Sequence, residues 1–139
     1  IYICTIKMKQ LKLNIMKTIK SILDNVNVEE VLKNDKYGIF EGASNQQVIE
    51  WTSSSELVVM INNVSKCNSY KVSYSNTFNT YEINNENVIV LFRELYKLTS
   101  NNFVKSVLVS VGKNRKYTEK QLSVICEEMI KFENLAIKF

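Results

Sequence analysis

The chain has 139 residues, of which 45% are hydrophobic and 23% charged, a balance that predicts one globular domain and excludes a disordered chain. It contains no histidine, no proline, three glycines and three cysteines. The lack of histidine removes the commonest general base and most zinc sites. Because the cysteines are odd in number and widely spaced, the sequence predicts no disulfide framework and favours a reducing, cytoplasmic location.

The net charge of +4 is unevenly distributed along the chain. Lys7, Lys9 and Lys12 lie in the first fifteen residues, which contain no acid, whereas 15 basic and 14 acidic residues follow from Met16 onward. We interpret residues 1–15 as an extension or a frayed end and residues 16–139 as a single α+β domain. The longest apolar runs have five residues, far short of the roughly 20 that span a bilayer, so no membrane partner is predicted.

The first elements of the domain read as helices. Residues 16–26 place Ile19, Ile22, Leu23 and Val26 at helical spacing, which predicts an N-terminal helix. Asn27 is suited to cap a second, short helix, with acidic residues in its first turn where the helix dipole favours them.

The middle of the chain changes to short runs separated by polar clusters, which predicts an antiparallel β-meander of four or five strands. The clearest alternation puts Tyr70, Val72 and Tyr74 on one face of a strand. The predicted strands cover residues 37–41, 47–53, 57–62, 70–75 and 80–83.

Two or three covering helices are predicted at the C-terminus. A helix capped by Asn84 or Asn85 extends to about Leu98, and residues 102–111 form either a second helix or a strand. Gly112 is suited to the position that follows a helix. Residues 118–121 have the pattern Thr-Glu-Lys-Gln, a capping box that opens the last helix.

One cluster of residues suggests binding chemistry. Five cations fall within sixteen residues, opposed only by Glu119. If this segment forms a helix–turn–helix, residues 112–117 present three of the cations together, near the free N–H groups at the start of the next helix. One interpretation of the cluster is therefore a phosphate-binding site. The other interpretation of the cluster is a basic turn that contacts only solvent. The candidate contacts are Lys105, Lys113, Arg115, Lys116, Tyr117 and Lys120.

Aromatic residues give a second set of candidates. Trp51, Tyr70 and Tyr74 are candidate interface residues, since aromatic side chains are enriched in binding surfaces. For Trp51, which the pattern places in a strand, packing in the core is favoured over a role as an interface anchor.

Residues 103–122 carry a resemblance to a known module. Phe103-Val104-Lys105-Ser106-Val107-Leu108, then Gly112, then Thr118-Glu119-Lys120-Gln121-Leu122, resembles a short helix-turn-helix module of phage and bacterial DNA-metabolism proteins. In that module an F-x-K-S-L-L helix leads to a glycine and a T-E-K-Q helix start, and residues 109–111 depart from its pattern. The resemblance implies a DNA-associated or mobile-element setting and supplies no catalytic residues.

These observations predict a non-enzymatic binding protein with no catalytic residues, metal or cofactor. We expect a small accessory or inhibitor of the phage or mobile-element type that acts on a protein or nucleoprotein partner. The alternative is a protein that binds nucleic acid directly through the basic helix-turn-helix patch. An enzyme is the least favoured class, because no convergent set of titratable residues is evident without histidine.

Overall fold

A computed structural model of the chain describes residues 17–72 and 76–139, and the side chains of residues 71–77 are outside this description. The predicted class, a mixture of helices and strands, is confirmed. The interpretation of residues 1–15 as an extension, and the predicted contact Tyr74, lie outside the described residues.

The first part of the domain is helical. Strand β1 (Lys17–Thr18) leads into α1 (Ile19–Asp24), and α2 (Val28–Lys33) follows. The Asn27 side chain accepts from the backbone N–H of Glu30, which confirms the predicted cap of α2. The loop after α2 turns around Asp35, whose carboxylate accepts from the backbone N–H groups of Ile39 and Phe40 at 3.0 and 2.9 Å.

The long helix α3 (Asn45–Asn63) occupies the region where two strands, 47–53 and 57–62, were predicted, and that prediction is wrong. A capping box between Ser44 and Gln47 starts the helix, and neither glycine nor proline interrupts it. The apolar pattern misleads because Ser53 and Ser54 are buried on α3 whereas Trp51 and Val59 are exposed.

The sheet has three antiparallel strands, fewer than the predicted meander. Strands β2 (Lys66–Val72) and β3 (Asn76–Glu82) form a hairpin, and β4 (Lys116–Thr118) pairs with the end of β3 through Thr80–Thr118, Tyr81–Tyr117 and Glu82–Lys116. A separate two-stranded pair joins β1 to β5 (Ala136–Ile137). Residues 37–41 form turns instead of a strand.

Three helices follow the hairpin. They are α4 (Glu86–Leu98), α5 (Asn102–Asn114) and α6 (Glu119–Met129), with α4 packed on α5, α5 on α6 and α6 on α3. Asn85 caps α4, and Thr118 and Gln121 form the predicted capping box of α6. Residues 102–111, left open between helix and strand, are helical. Gly112 lies inside α5, and the left-handed residue that ends this helix is Arg115, with φ of 52°.

The core lies between these helices and one face of the three-stranded sheet. Burial of its apolar side chains supplies the main driving force for folding. The largest side chains with almost no exposure are Ile19, Leu57, Ile61, Leu95, Tyr117, Leu122, Ile125, Met129 and Ile137.

Candidate functional site

Tyr117 belongs to the core and is not a surface contact, so its predicted role is wrong. Only 1% of its surface is exposed. Its hydroxyl lies within hydrogen-bond distance of two acceptors, Ser65 Oγ at 2.7 Å and Asn62 Oδ1 at 3.1 Å. Its ring stacks on Tyr81, with centroids 5.4 Å apart and planes 9° apart. Burial raises the pKa of Tyr117 to about 12. Tyr117 therefore attaches β4 to the end of α3, which holds the flanking cations in place.

Four predicted cations surround β4 on the surface: Lys113, Arg115, Lys116 and Lys120 are all exposed. The single acid among them, Glu119, accepts from the Tyr81 hydroxyl at 3.2 Å and from Asn62 Nδ2 at 3.3 Å. The ion pairs found within the described residues are Lys97–Glu94 and Lys131–Glu128, so none of the four cations is in one. We call these four residues the basic edge.

Lys105, the fifth predicted cation, is separate from the basic edge. It is half-buried, and its Nζ lies 5.3 Å from the centroid of the Tyr96 ring on α4. This geometry is a cation–π contact, which stabilises the packing of α5 on α4.

The connection predicted as a simple turn contains a strand. After Arg115 the chain enters β4, and the backbone N–H of Ile83 donates to the Arg115 carbonyl at 2.9 Å. The basic edge is therefore fixed to the sheet by hydrogen bonds as well as by Tyr117, in contrast to a free loop between two helices.

Side chains alternate across a sheet, so the residues next to Tyr117 in β4 point away from the core. The resulting outer face holds Lys66, Asn68 and Tyr70 of β2, Phe78, Thr80 and Glu82 of β3, and Lys116 and Thr118 of β4. Tyr70 and Phe78 are direct cross-strand partners, with stacked rings 6.1 Å apart, and 47% and 49% of their surfaces are exposed.

The outer face has an aromatic end and a charged end. Lys66, Glu82 and Lys116 form one row across the three strands, and Glu82 accepts from Asn68 Nδ2 at 2.9 Å. Within this row, Glu82 is four residues from Phe78 along β3, so the charged end is roughly 13 Å from the aromatic end. Lys66 and Phe78 were not among the predicted contacts. The alternation of Phe78, Thr80 and Glu82 in the sequence is the signal that could have identified this face.

Trp51 lies on α3 and not in a strand, and 43% of its surface is exposed. Its ring meets Phe40 edge to face at 5.2 Å. It lines a groove of about 560 Å³ that also contains Phe103, which is 65% exposed, and the carboxylates of Glu50 and Glu127. Trp51 is therefore exposed and not part of the core, so the favoured prediction of core packing is wrong.

Two tyrosines and one cysteine near this surface are held in their neutral forms. Burial, followed by the nearby Glu119 carboxylate, raises the pKa of Tyr81 to about 12. Burial also raises the pKa of the Cys126 thiol above its usual range, which disfavours the reactive thiolate. The part of the chain that the structure describes contains no group of three or more His, Cys, Asp or Glu side chains placed to hold a metal ion. The side chains of this surface can stack on rings, form hydrogen bonds and pair with opposite charges.

Comparison of the chain with family models, with curated proteins and with solved structures found no match. Within residues 17–72 and 76–139, no helix has the length and apolar character needed to cross a membrane.

Proposed function

We propose that this protein is a non-enzymatic binding module that acts on a nucleoprotein or protein partner as an accessory or inhibitor, and that it contacts single-stranded nucleic acid directly. The observation that carries this proposal is the outer sheet face. There the exposed Tyr70–Phe78 pair shares one surface with Lys66 and Lys116.

Exposed aromatic rings on a sheet favour single strands over duplexes. Bases of a single strand are free to stack on aromatic side chains, whereas bases inside a duplex are already stacked. Tyr70 and Phe78 are each about half exposed, so their free surface is open to a base. The lysines at the charged end suit the phosphates of the same strand.

The charge distribution supports the same surface. Residues 113–120 contain four cations and one acid, whereas the rest of the chain from Lys17 onward contains eleven cations and thirteen acids. A modest total charge therefore hides one basic region, and cations concentrated in one place are the usual electrostatic footprint of phosphate binding.

The test is fluorescence anisotropy with labelled single- and double-stranded oligonucleotides over a series of salt concentrations. Neutralisation of phosphates by the four cations of the basic edge gives a log–log salt slope of about −3 for single strands. We expect Lys113→Glu with Lys116→Glu to abolish most of the binding. The loss of one stacking platform in Tyr70→Ala should weaken binding by about fivefold or more.

The matched control is Lys20→Glu with Lys36→Glu, which removes the same charge from exposed positions in α1 and in the loop after α2. The proposal requires this control to bind more tightly than Lys113→Glu with Lys116→Glu. Equal losses in the two variants would show that only net charge matters. No binding of either oligonucleotide at low salt would remove direct nucleic-acid binding.

The groove beside Trp51 favours a second candidate, a function that requires only a protein partner. Trp51 is the sole tryptophan of the chain, and together with the more exposed Phe103 it lines this groove. Half-exposed tryptophans are typical anchors of protein interfaces. A purified partner that binds the wild-type chain should lose affinity with Trp51→Ala and keep it with Lys116→Glu. The reverse pattern would favour the sheet face.

A further inference from the structure

Both arginines of the chain line one cleft. The sequence contains sixteen lysines but only Arg93 and Arg115, and both line a cleft of about 270 Å³ between α4 and α5. Arginine and lysine are not equivalent here, because the guanidinium group pairs with a carboxylate through two parallel hydrogen bonds.

The other residues that line the cleft are mostly apolar. They are Ile83, Ile89, Phe92, Leu108 and Val109, with Gly112 and Tyr96 completing the lining. The space beside Gly112 is open, since a Cβ atom built there meets nothing within 4 Å. No carboxylate lines the cleft, and neither arginine has an ion pair within the described residues. The charge of the cleft is therefore wholly positive and available to a ligand.

The size of the cleft limits its occupant. Pockets for whole small-molecule ligands range from roughly 300 to 1,000 Å³, so this cleft is suited to one large side chain. Among the described residues, Tyr96 supplies the only side-chain hydrogen-bonding group of the lining besides the two arginines. A nucleobase, which needs polar partners along its edge, is a poor match for such walls. An apolar side chain next to a carboxylate matches both the walls and the arginines.

We propose that this cleft binds a short acidic segment of a partner protein, in which a large apolar side chain fills the cleft and an adjacent Asp or Glu pairs with Arg93 or Arg115. This inference goes beyond the function proposed above and does not rest on it. The sheet face and the basic edge would contact nucleic acid, and the cleft would contact protein; Arg115 belongs to both surfaces, and Arg93 to the cleft alone.

Arg115 offers a variant that separates binding from folding. Its φ of 52° is in the left-handed region, which glycine adopts without strain and other residues adopt rarely. In Arg115→Gly the guanidinium group is lost while the backbone conformation becomes easier to adopt. We expect the Tm of this variant to equal or exceed that of the wild type.

The experiment is a titration of the full chain with the capped peptide Gly-Ser-Glu-Asp-Phe-Glu-Asp-Ser-Gly, followed in two-dimensional amide NMR spectra. Two control peptides replace the four acids with lysine or the phenylalanine with glycine. We expect the acidic phenylalanine peptide to shift the amide signals of Val109 and Gly112. Its affinity should fall about tenfold or more in Arg93→Gln and Arg115→Gly, because each removes a charge-assisted pair, and stay unchanged in Lys36→Gln.

Three outcomes would overturn the proposal: equal binding of the lysine peptide, shifts confined to residues outside the cleft, or no shift with any peptide. A parallel titration with a single-stranded oligonucleotide keeps the two proposals distinguishable. Arg93→Gln should leave oligonucleotide binding unchanged. If the oligonucleotide and not the peptide shifts Val109 and Gly112, the cleft proposal fails while nucleic-acid binding stands.

Discussion

Two stacked aromatic pairs lie on the same small sheet, and they differ in how deeply they are buried. The Tyr81–Tyr117 pair is on the inner face, where Tyr117 is 1% exposed and bonded to the end of α3. The Tyr70–Phe78 pair is on the outer face, where both rings are about half exposed. The strands and the residue types are similar, so the difference comes from what packs against each face.

The comparison shows why the two pairs are expected to have different roles. A buried tyrosine whose hydroxyl is satisfied contributes packing and hydrogen bonds to the fold, and its removal leaves a cavity. An exposed aromatic pair contributes little to stability and keeps its free surface for a ligand. Changes to the inner pair should therefore alter folding, and changes to the outer pair should alter binding.

The largest effect is expected from Tyr117→Ala. Loss of a fully buried ring should lower the free energy of unfolding by about 3–5 kcal/mol. Urea denaturation followed by circular dichroism measures this change. A loss under about 1 kcal/mol would mean that β4 is not held by this residue, and the contrast between the pairs would fail.

Alkaline pH should unfold the protein through the same pair. Tyr117 and Tyr81 have pKa values raised from 10 to about 12, so the folded state favours their neutral forms. The stability that this preference contributes is present below pH 10 and is lost as the pH rises from 10 to 12. Thermal denaturation from pH 9 to 11.5 should show a falling Tm, with a smaller fall in Tyr117→Phe. An equal fall in both proteins would assign the effect to other groups.

An intermediate loss of stability is expected from Thr118→Ala, at the junction of β4 and α6. The Thr118 hydroxyl accepts from the backbone N–H of Gln121 at 3.2 Å in the capping box, and Thr118→Ala removes this bond. We expect a loss of about 1 kcal/mol in the free energy of unfolding, measured with urea. Thr80→Ala, its cross-strand neighbour on the same face, is the control and should lose less.

The smallest effect on stability is expected from Tyr70→Ala, at under about 1 kcal/mol, because the ring is half exposed and only its cross-strand contact is lost. Oligonucleotide binding should fall in the same variant. Urea denaturation and anisotropy on one preparation measure both quantities. A large loss of stability without a change in binding would reverse the assignment of the outer pair.

Local patterns in the sequence were sufficient where the interactions are local. The caps at Asn27, Asn85 and Thr118 follow from side chains that bond to a backbone N–H two or three residues further along. Four of the five cations predicted as one cluster are exposed around β4, because their nearness is a matter of chain position, whereas Lys105 packs on Tyr96.

Features that depend on contacts between distant residues could not be predicted from local sequence patterns. Ser53 and Ser54 are buried on α3 while Trp51 and Val59 are exposed, so the apolar pattern of this helix does not mark its inner side. Tyr117 has four charged residues within three positions of it in the sequence, a pattern that predicts a surface residue. Its hydroxyl partners, Asn62 and Ser65, are more than fifty residues away in the chain.

The sequence by itself determined the mixed fold class, the first and last of the three C-terminal helices with their caps, and the basic cluster, because each depends on residues within a few positions of one another. The tertiary structure alone decided which side of α3 faces the core, that β4 joins the hairpin and that Tyr117 is buried. It also decided that Tyr70, Phe78, Lys66 and Lys116 share a face and that Arg93 and Arg115 share a cleft. These arrangements depend on pairing between distant segments, and their stability comes from burial that no local pattern records.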